Sequence, residues 1–271
     1  TEPGYSFSVA GISTGYNWFS TNTINHAFTP ITGDFVNLIN PSQDFLTYIE
    51  TIGLRESYES HLIFGSSYRF TFNNQFVSEK RNYFYFTVYT KAAGNSLDFF
   101  MGLNDDNNEN VSYSIAGNTF AQFIKNEFDI RYYRKLNREK DKLVFRLFAG
   151  LAYPYGNLDV VPFTEQYFSG GANGIRAWQE RNLGPGSLEG DTTALFPNQR
   201  SDLKLETNFE YRMKLFWYME GALFVDAGNI WAVNKQESRE GALFDFNTFY
   251  KQIAVGAGFG LRFDFDFIVL R

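Results

Sequence analysis

Residues Asp202 to Leu215 read DLKLETNFEYRMKL, with Leu203, Leu205, Thr207, Phe209, Tyr211, Met213 and Leu215 at the odd positions and Lys204, Glu206, Glu210, Arg212 and Lys214 among the even ones. Successive side chains of a strand leave on opposite faces, so the segment predicts a strand with one apolar and one ionic face. Its fourteen residues, at ~3.3 Å each and tilted by ~45°, rise ~32 Å, which covers the ~25 Å apolar band of a membrane barrel. A soluble strand of about 5 to 6 residues stops far short. The same two-residue period recurs, in full or in part, over 5 to 18, 23 to 38, 60 to 73, 82 to 93, 122 to 136, 141 to 152, 218 to 231, 250 to 265 and a start at 267. In 122 to 136 the outer set is Ile124, Phe128, Ile130 and Tyr132, against inner Lys125, Glu127, Asp129 and Arg131. In 250 to 265 the outer set Ile253, Val255, Ala257, Phe259, Leu261 and Phe263 alternates with Ala254, Gly256, Gly258 and Gly260. That glycine column leaves room inside for something bulky.

The connections alternate in length. Short links fall at 19 to 22, 74 to 81, 137 to 140, 216 to 217 and 266, and long ones at 39 to 59, 94 to 121, 153 to 201 and 232 to 249. Short periplasmic turns and long outer loops produce this alternation. Trp217 and Trp231 bracket one strand fourteen residues apart, which fits two aromatic girdles or tryptophans that simply cap the strand. Between Pro41 and His61, Phe45, Tyr48, Ile49 and Ile52 follow helical spacing behind a Ser42 cap, which predicts a short loop helix. The fold class is therefore all-β: a transmembrane antiparallel β-barrel of about ten strands, one incomplete domain over 1 to 271 with a long loop, 153 to 201. An open edge in lipid leaves backbone groups unpaired, so the sequence is expected to be a fragment or to be completed by partners.

Composition narrows the picture further. Aromatic residues make up 19%, with 31 Phe and 17 Tyr, which suits strands and interfacial girdles. Mean hydropathy is -0.30, and the longest apolar runs are only a few residues, as in Leu215 to Met219, which Glu220 ends. No ~20-residue apolar helix is available, so an integral protein of this sequence must cross with strands. A net charge of -6 argues against nucleic acid as a partner. Zero cysteines exclude disulfides and thiolate metal sites and fit a Gram-negative envelope. The opening TEPGYSF lacks the basic and apolar regions of a signal peptide, so a leader is expected to be missing or processed.

Candidate chemistry concentrates in EQYFSGGANGIRAWQERNLGPGS, residues 165 to 187. Gly170, Gly171, Gly174, Gly184 and Gly186 allow positive φ and close backbone approach, the mark of a folded loop. Arg176 sits among them, between Ile175 and Ala177 and close to Trp178. A fork of donors in a tight turn calls for carboxylates. Glu210 lies on the ionic face described above, and Asp226 falls opposite Leu223 and Val225, hence also inward. If the loop folds into the lumen, Arg176 meets both acids; an arginine left in open water is the alternative. His26 and His61 lack a nucleophile motif nearby and are read as polar strand residues, so no enzyme activity and no catalytic residue is expected. The acidic run Asn104 to Asn110 lacks the spacing of a calcium loop, and no metal site is expected there.

GGANGIRAW resembles the sixth-extracellular-loop motif, V/I-R-G-F/Y, of the outer-membrane assembly and translocation superfamily of BamA, TamA and FhaC. FEYRMKL with GALFVDAGNIW is similar to that family's next two strands, and GAGFGLRFDFDFIVLR to the segment after them. The likeness is strong over 165 to 271. Ala177 stands where glycine is usual, as in the IRAW or IRAF variant of TamA-like lipoprotein members. The resemblance implies a sixteen-stranded barrel of which this chain supplies the sixth to fifteenth strands, with POTRA domains outside it. It implies that the loop arginine enters the barrel and contacts Glu210 and Asp226. It further implies a bacterial outer-membrane insertion factor that works by lateral opening without cofactor, on nascent outer-membrane proteins and with periplasmic or lipoprotein accessory subunits. A two-partner-type secretion translocator of the same superfamily and a passive porin are the alternatives.

Overall fold

The computed structural model describes residues 4–51, 53–75, 82–102, 113–115, 117–136, 141–188, 199–234, 239–264 and 269–270. Ten strands form one antiparallel meander: β1 (Ser6–Thr21), β2 (Ile24–Ile39), β3 (His61–Asn73), β4 (Asn82–Ala93), β7 (Phe123–Lys135), β8 (Lys142–Pro154), β9 (Leu203–Lys214), β10 (Met219–Trp231), β11 (Ala254–Asp264) and β12 (Val269–Leu270). Two short strands missed by the sequence pattern, β5 (Ser114–Ile115) and β6 (Asn118–Phe120), pair with each other inside a long loop. β6 also pairs in parallel with the start of β3. Every one of the ten segments with two-residue periodicity contains a meander strand. The fold is the all-β antiparallel sheet expected, a partial barrel wall with open edges at β1 and β12 among the described residues.

Exposure is inverted relative to a water-soluble protein. On β9 to β11, Phe209↔Val225↔Ala257 and Tyr211↔Leu223↔Phe259 are directly opposed and so share a face. On that face Phe259 is 78% exposed, Val255 61% and Leu223 51%, whereas Asp226 and Glu206 on the other face are fully buried. An apolar outside around an ionic inside is the arrangement that hydrocarbon demands of a barrel wall. No described helix is long and apolar enough to cross a membrane.

Described parts of the first three long connections pack together into a shared core at one end of the sheet. Helix α1 (Gln43–Thr51) occupies the segment expected to be helical. The Ser42 hydroxyl accepts the Phe45 N–H at 3.2 Å, as the cap reading required; Ile52 lies outside the described residues. Phe45 and Ile49 join Val36, Tyr58 of α2 (Arg55–Tyr58), Ile63, Phe123, Leu158 and Phe163 in a core. In that core Phe163 stacks on Phe7 at 4.1 Å and on Tyr58 at 5.0 Å. We expect Ser42→Ala to weaken α1 by ~1 kcal/mol, seen as faster amide exchange over 43 to 51 with the strands unchanged. A third helix, α3 (Asn95–Gly102), had no sequence signal strong enough to be predicted.

Two expectations are corrected. Trp231 does not form an aromatic girdle: it is fully buried, packed edge-on against Phe244 and Phe249, with its Nε1 donating to Gln252 Oε1 at 2.7 Å. Trp217, in the opposite turn, is 81% exposed. The strand expected from 250 starts instead at Ala254, because Phe249–Gln252 form a 3-10 turn. That turn follows a polar knot in which Asp245 accepts from the backbone N–H of Asn247 and the hydroxyl of Thr248. Beyond Gly228, β10 extends past its pairing with β11, and Asn229 Nδ2 there donates to the carbonyls of Gln252 and Gly186. The acidic run Asn104 to Asn110 lies outside the described residues.

Candidate functional site: the arginine latch on the inner face

The glycines of the long loop between β8 and β9 build a compact turn. Gly170 and Gly171 adopt φ of 91° and 85°. A Cβ on Gly170 would stand 2.1 Å from the Gln179 carbonyl oxygen, so only glycine fits where the limbs of the turn cross. Gly171 N–H donates to the Trp178 carbonyl at 2.8 Å, Gly174 N–H to that of Gly171 at 3.1 Å, and Arg181 N–H to that of Ser169 at 2.9 Å. Ile175, the residue before Arg176, is fully buried.

The tip rests on the inner faces of β9 and β10. Arg176 Nε donates to Asp226 Oδ2 at 2.8 Å and Nη2 to Oδ1 at 2.7 Å, a two-pronged pairing. Its backbone N–H also donates to Asp226 Oδ2, at 3.0 Å, and Nη1 donates to Glu210 Oε2 at 2.5 Å. The structure thus brings Arg176 together with both acids singled out from the alternation. Asp226 faces Asn208 across the ladder, and Glu210 faces Phe224, so the acids sit diagonally on neighbouring strands. One guanidinium spans both.

Several contributors were not singled out beforehand. The Phe224 ring lies beneath the guanidinium, 3.6 Å from ring centroid to Cζ. Asn208 Nδ2 donates both to Asp226 Oδ1 at 2.9 Å and to the Gly174 carbonyl at 3.0 Å, tying strand, acid and loop together. Arg146 on β8 donates to Glu206 Oε1 at 2.8 Å and to the Asn173 carbonyl at 3.3 Å, and its Nη2 lies 3.2 Å from Asp129. All lie on the ionic face that the two-residue period defines. Asn208 and Phe224 broke the charge pattern, so their inward direction was legible while their partners were not.

Two of the three glycines in the β11 column receive a bulky neighbour, each a different one. A Cβ on Gly256 would come within 2.4 Å of the Ala177 Cβ and 3.2 Å of the Trp178 ring. One on Gly258 would meet the Phe224 ring at 2.6 Å. At Gly260 the space is open. The loop motif and the ring below its arginine therefore fit into the absence of side chains on β11.

The family model for the Omp85 superfamily domain matches residues 1–271, the whole chain. This chain belongs to the Omp85 superfamily. A crystal structure of BamA from Haemophilus ducreyi lacking POTRA domains 1–3 is similar to it, with a TM-score of 0.65 and 15% sequence identity over 96% of this chain and 49% of that one. At that identity the likeness speaks for the fold, and the chain spans about half the length of the BamA chain it matches. The buried ionic face with its arginine latch lies within the residues that this family model matches.

Proposed function

We propose that this chain is part of a BamA/TamA-type barrel that resides in the bacterial outer membrane and assists insertion of nascent outer-membrane proteins. The observation that carries this reading is the latch: Arg176 bonded to Asp226 and Glu210 keeps the loop on the inner wall. A passive porin needs no such latch, and a secretion translocator needs the loop to leave the lumen. An insertion factor keeps the loop in place, because its clients enter through the wall. In physical terms such a factor lowers the cost of exposing unpaired strand edges to lipid and offers them as a template to incoming strands. The latch would hold the wall from β8 to β10 rigid while strands elsewhere part. Accessory lipoproteins or periplasmic subunits and POTRA domains belong to the same proposal, and no cofactor or nucleotide enters it.

The test uses the full-length protein in liposomes. Arg176→Ala is expected to slow folding of a client barrel into the vesicles at least several-fold. Wild-type protein is expected to show no large steady conductance in a planar bilayer. Unchanged client insertion would remove the assigned role of the latch, and a large steady wild-type pore would favour the porin.

A further inference from the structure

The loop that carries Arg176 is gripped a second time, through a charge of opposite sign. Glu165 Oε1 accepts from Lys91 Nζ at 2.6 Å, and Oε2 accepts from Lys125 Nζ at 3.2 Å. Lys125 Nζ donates as well to the Glu165 carbonyl oxygen, at 2.9 Å. The three side chains are 15%, 7% and 12% exposed.

The sheet register shows why this contact is more than an incidental ion pair. Lys91 on β4 and Lys125 on β7 are directly opposite each other. Like charges in that position repel, and burial removes the water that would screen them. The nearest acids on the wall itself stand off, Asp34 at 3.8 Å from Lys91 and Glu127 at 3.7 Å from Lys125. The carboxylate that bridges both ammoniums within hydrogen-bond distance comes from the loop. Tyr167, two residues on, carries its ring 4.9 Å from Lys125 Nζ and sits over Gly150 of β8, where a Cβ would approach the ring to 2.7 Å. Its backbone N–H and C=O exchange bonds with Ser201 at the return of the loop. Burial by itself would raise the Glu165 carboxyl, yet Lys125 and Lys91 outweigh it and hold the group below the ordinary carboxylate range.

We propose that Glu165 is a positioning residue for the loop. Its clamp on Lys91 and Lys125 works with the Arg176 latch to make the loop a splint across the inner faces of β4, β7, β8, β9 and β10. The two grips have reversed polarity, acid on loop at one end and base on loop at the other, so neither limb can exchange sites with the other. Five consecutive meander strands are thereby tied into one body, which directs any opening movement to strands outside the splint. This inference rests on the insertion-factor reading for its meaning, while the clamp itself is measured without it.

The experiment is hydrogen exchange by mass spectrometry on the full-length protein in liposomes, with each variant first shown by heat-modifiable migration to be a folded barrel. Glu165→Gln is expected to speed exchange over residues 163 to 169 and over β4 and β7 by roughly tenfold, leaving 170 to 178, β9 and β10 within about twofold. Arg176→Ala is expected to give the reverse map. The swap Glu165→Lys with Lys125→Glu keeps one acid among the three groups and is expected to restore slow exchange. Should Glu165→Gln fail to fold, a swapped barrel with wild-type exchange supports the clamp, and one with fast exchange throughout overturns it. Exchange in Glu165→Gln that matches wild type, or that rises evenly over all strands, overturns the proposal. Client insertion is scored separately. Insertion unaffected by Arg176→Ala sinks the functional reading without touching the exchange map.

Discussion

Replacing Asp226 by alanine is expected to lower the stability of the folded barrel by about 3 to 5 kcal/mol. The carboxylate is fully buried and accepts four hydrogen bonds: from Arg176 Nε, Nη2 and backbone N–H, and from Asn208 Nδ2. Its removal leaves a partly buried guanidinium, a backbone N–H and a side-chain amide without their acceptor. The cost of that desolvated set exceeds what a shortened side chain loses in packing. Glu210 still holds Nη1, and Phe224 still lies under the cation, which places the expectation nearer the lower bound. Arg176→Met combined with Asp226→Ala should cost clearly less than the two single losses added together, because the orphaned charge disappears with its partner. The check is the temperature at which the barrel loses its folded migration, compared across wild type, both single variants and the double. A loss in Asp226→Ala below about 1 kcal/mol, or strict additivity, would show the latch to be energetically idle.

The second large effect is steric. Gly256→Ala puts a methyl group where the Ala177 methyl already stands, at 2.4 Å, and against the Trp178 ring at 3.2 Å. Backbone or loop must move, at a cost of about 1 to 3 kcal/mol, and the cheaper part to move is the loop tip. The displacement would pull Arg176 away from Asp226, so barrel heat resistance and client insertion should fall together. Ala177→Gly in the same molecule removes one of the two colliding methyl groups and is expected to restore most of both. Gly260→Ala is the control on the same strand, since nothing lies within 4 Å of its added carbon. A Gly256→Ala protein that matches the Gly260→Ala control in heat resistance would refute the close fit of loop and strand. The pairing also gives Ala177 a physical context: the larger residue in the motif is matched by a glycine directly beneath it.

Much of the wall was legible in advance because alternation is a local property. Each of Leu203 to Lys214 faces in or out according to parity alone, and the same holds for Val225 and Asp226 on the neighbouring strand. Ser42 and the spacing of Phe45 and Ile49 likewise announced α1, since a cap and one turn of helix lie within a few residues. Parity did not reveal what covers a face. Trp231 points the way its position requires, yet it is buried under Phe244 and Phe249 from a loop more than ten residues on. The β5 and β6 strands were invisible for the related reason that two or three residues carry no measurable period.

The candidate site divides in the same way. Arg176, Glu210 and Asp226 were found because a glycine-rich turn and two inward acids are visible residue by residue. Lys91, Lys125 and Glu165 were each visible as charges but not as a set, because their meeting depends on the register of β4 against β7 and on where the loop descends. By itself the sequence determined the strands, their faces, the glycine-built turn and the charges available to meet on the inside. Which charge meets which, which glycine receives the loop, and how many strands one loop binds together were decided only by tertiary structure. Those contacts join residues far apart along the chain, and no local period encodes a distance across the barrel wall.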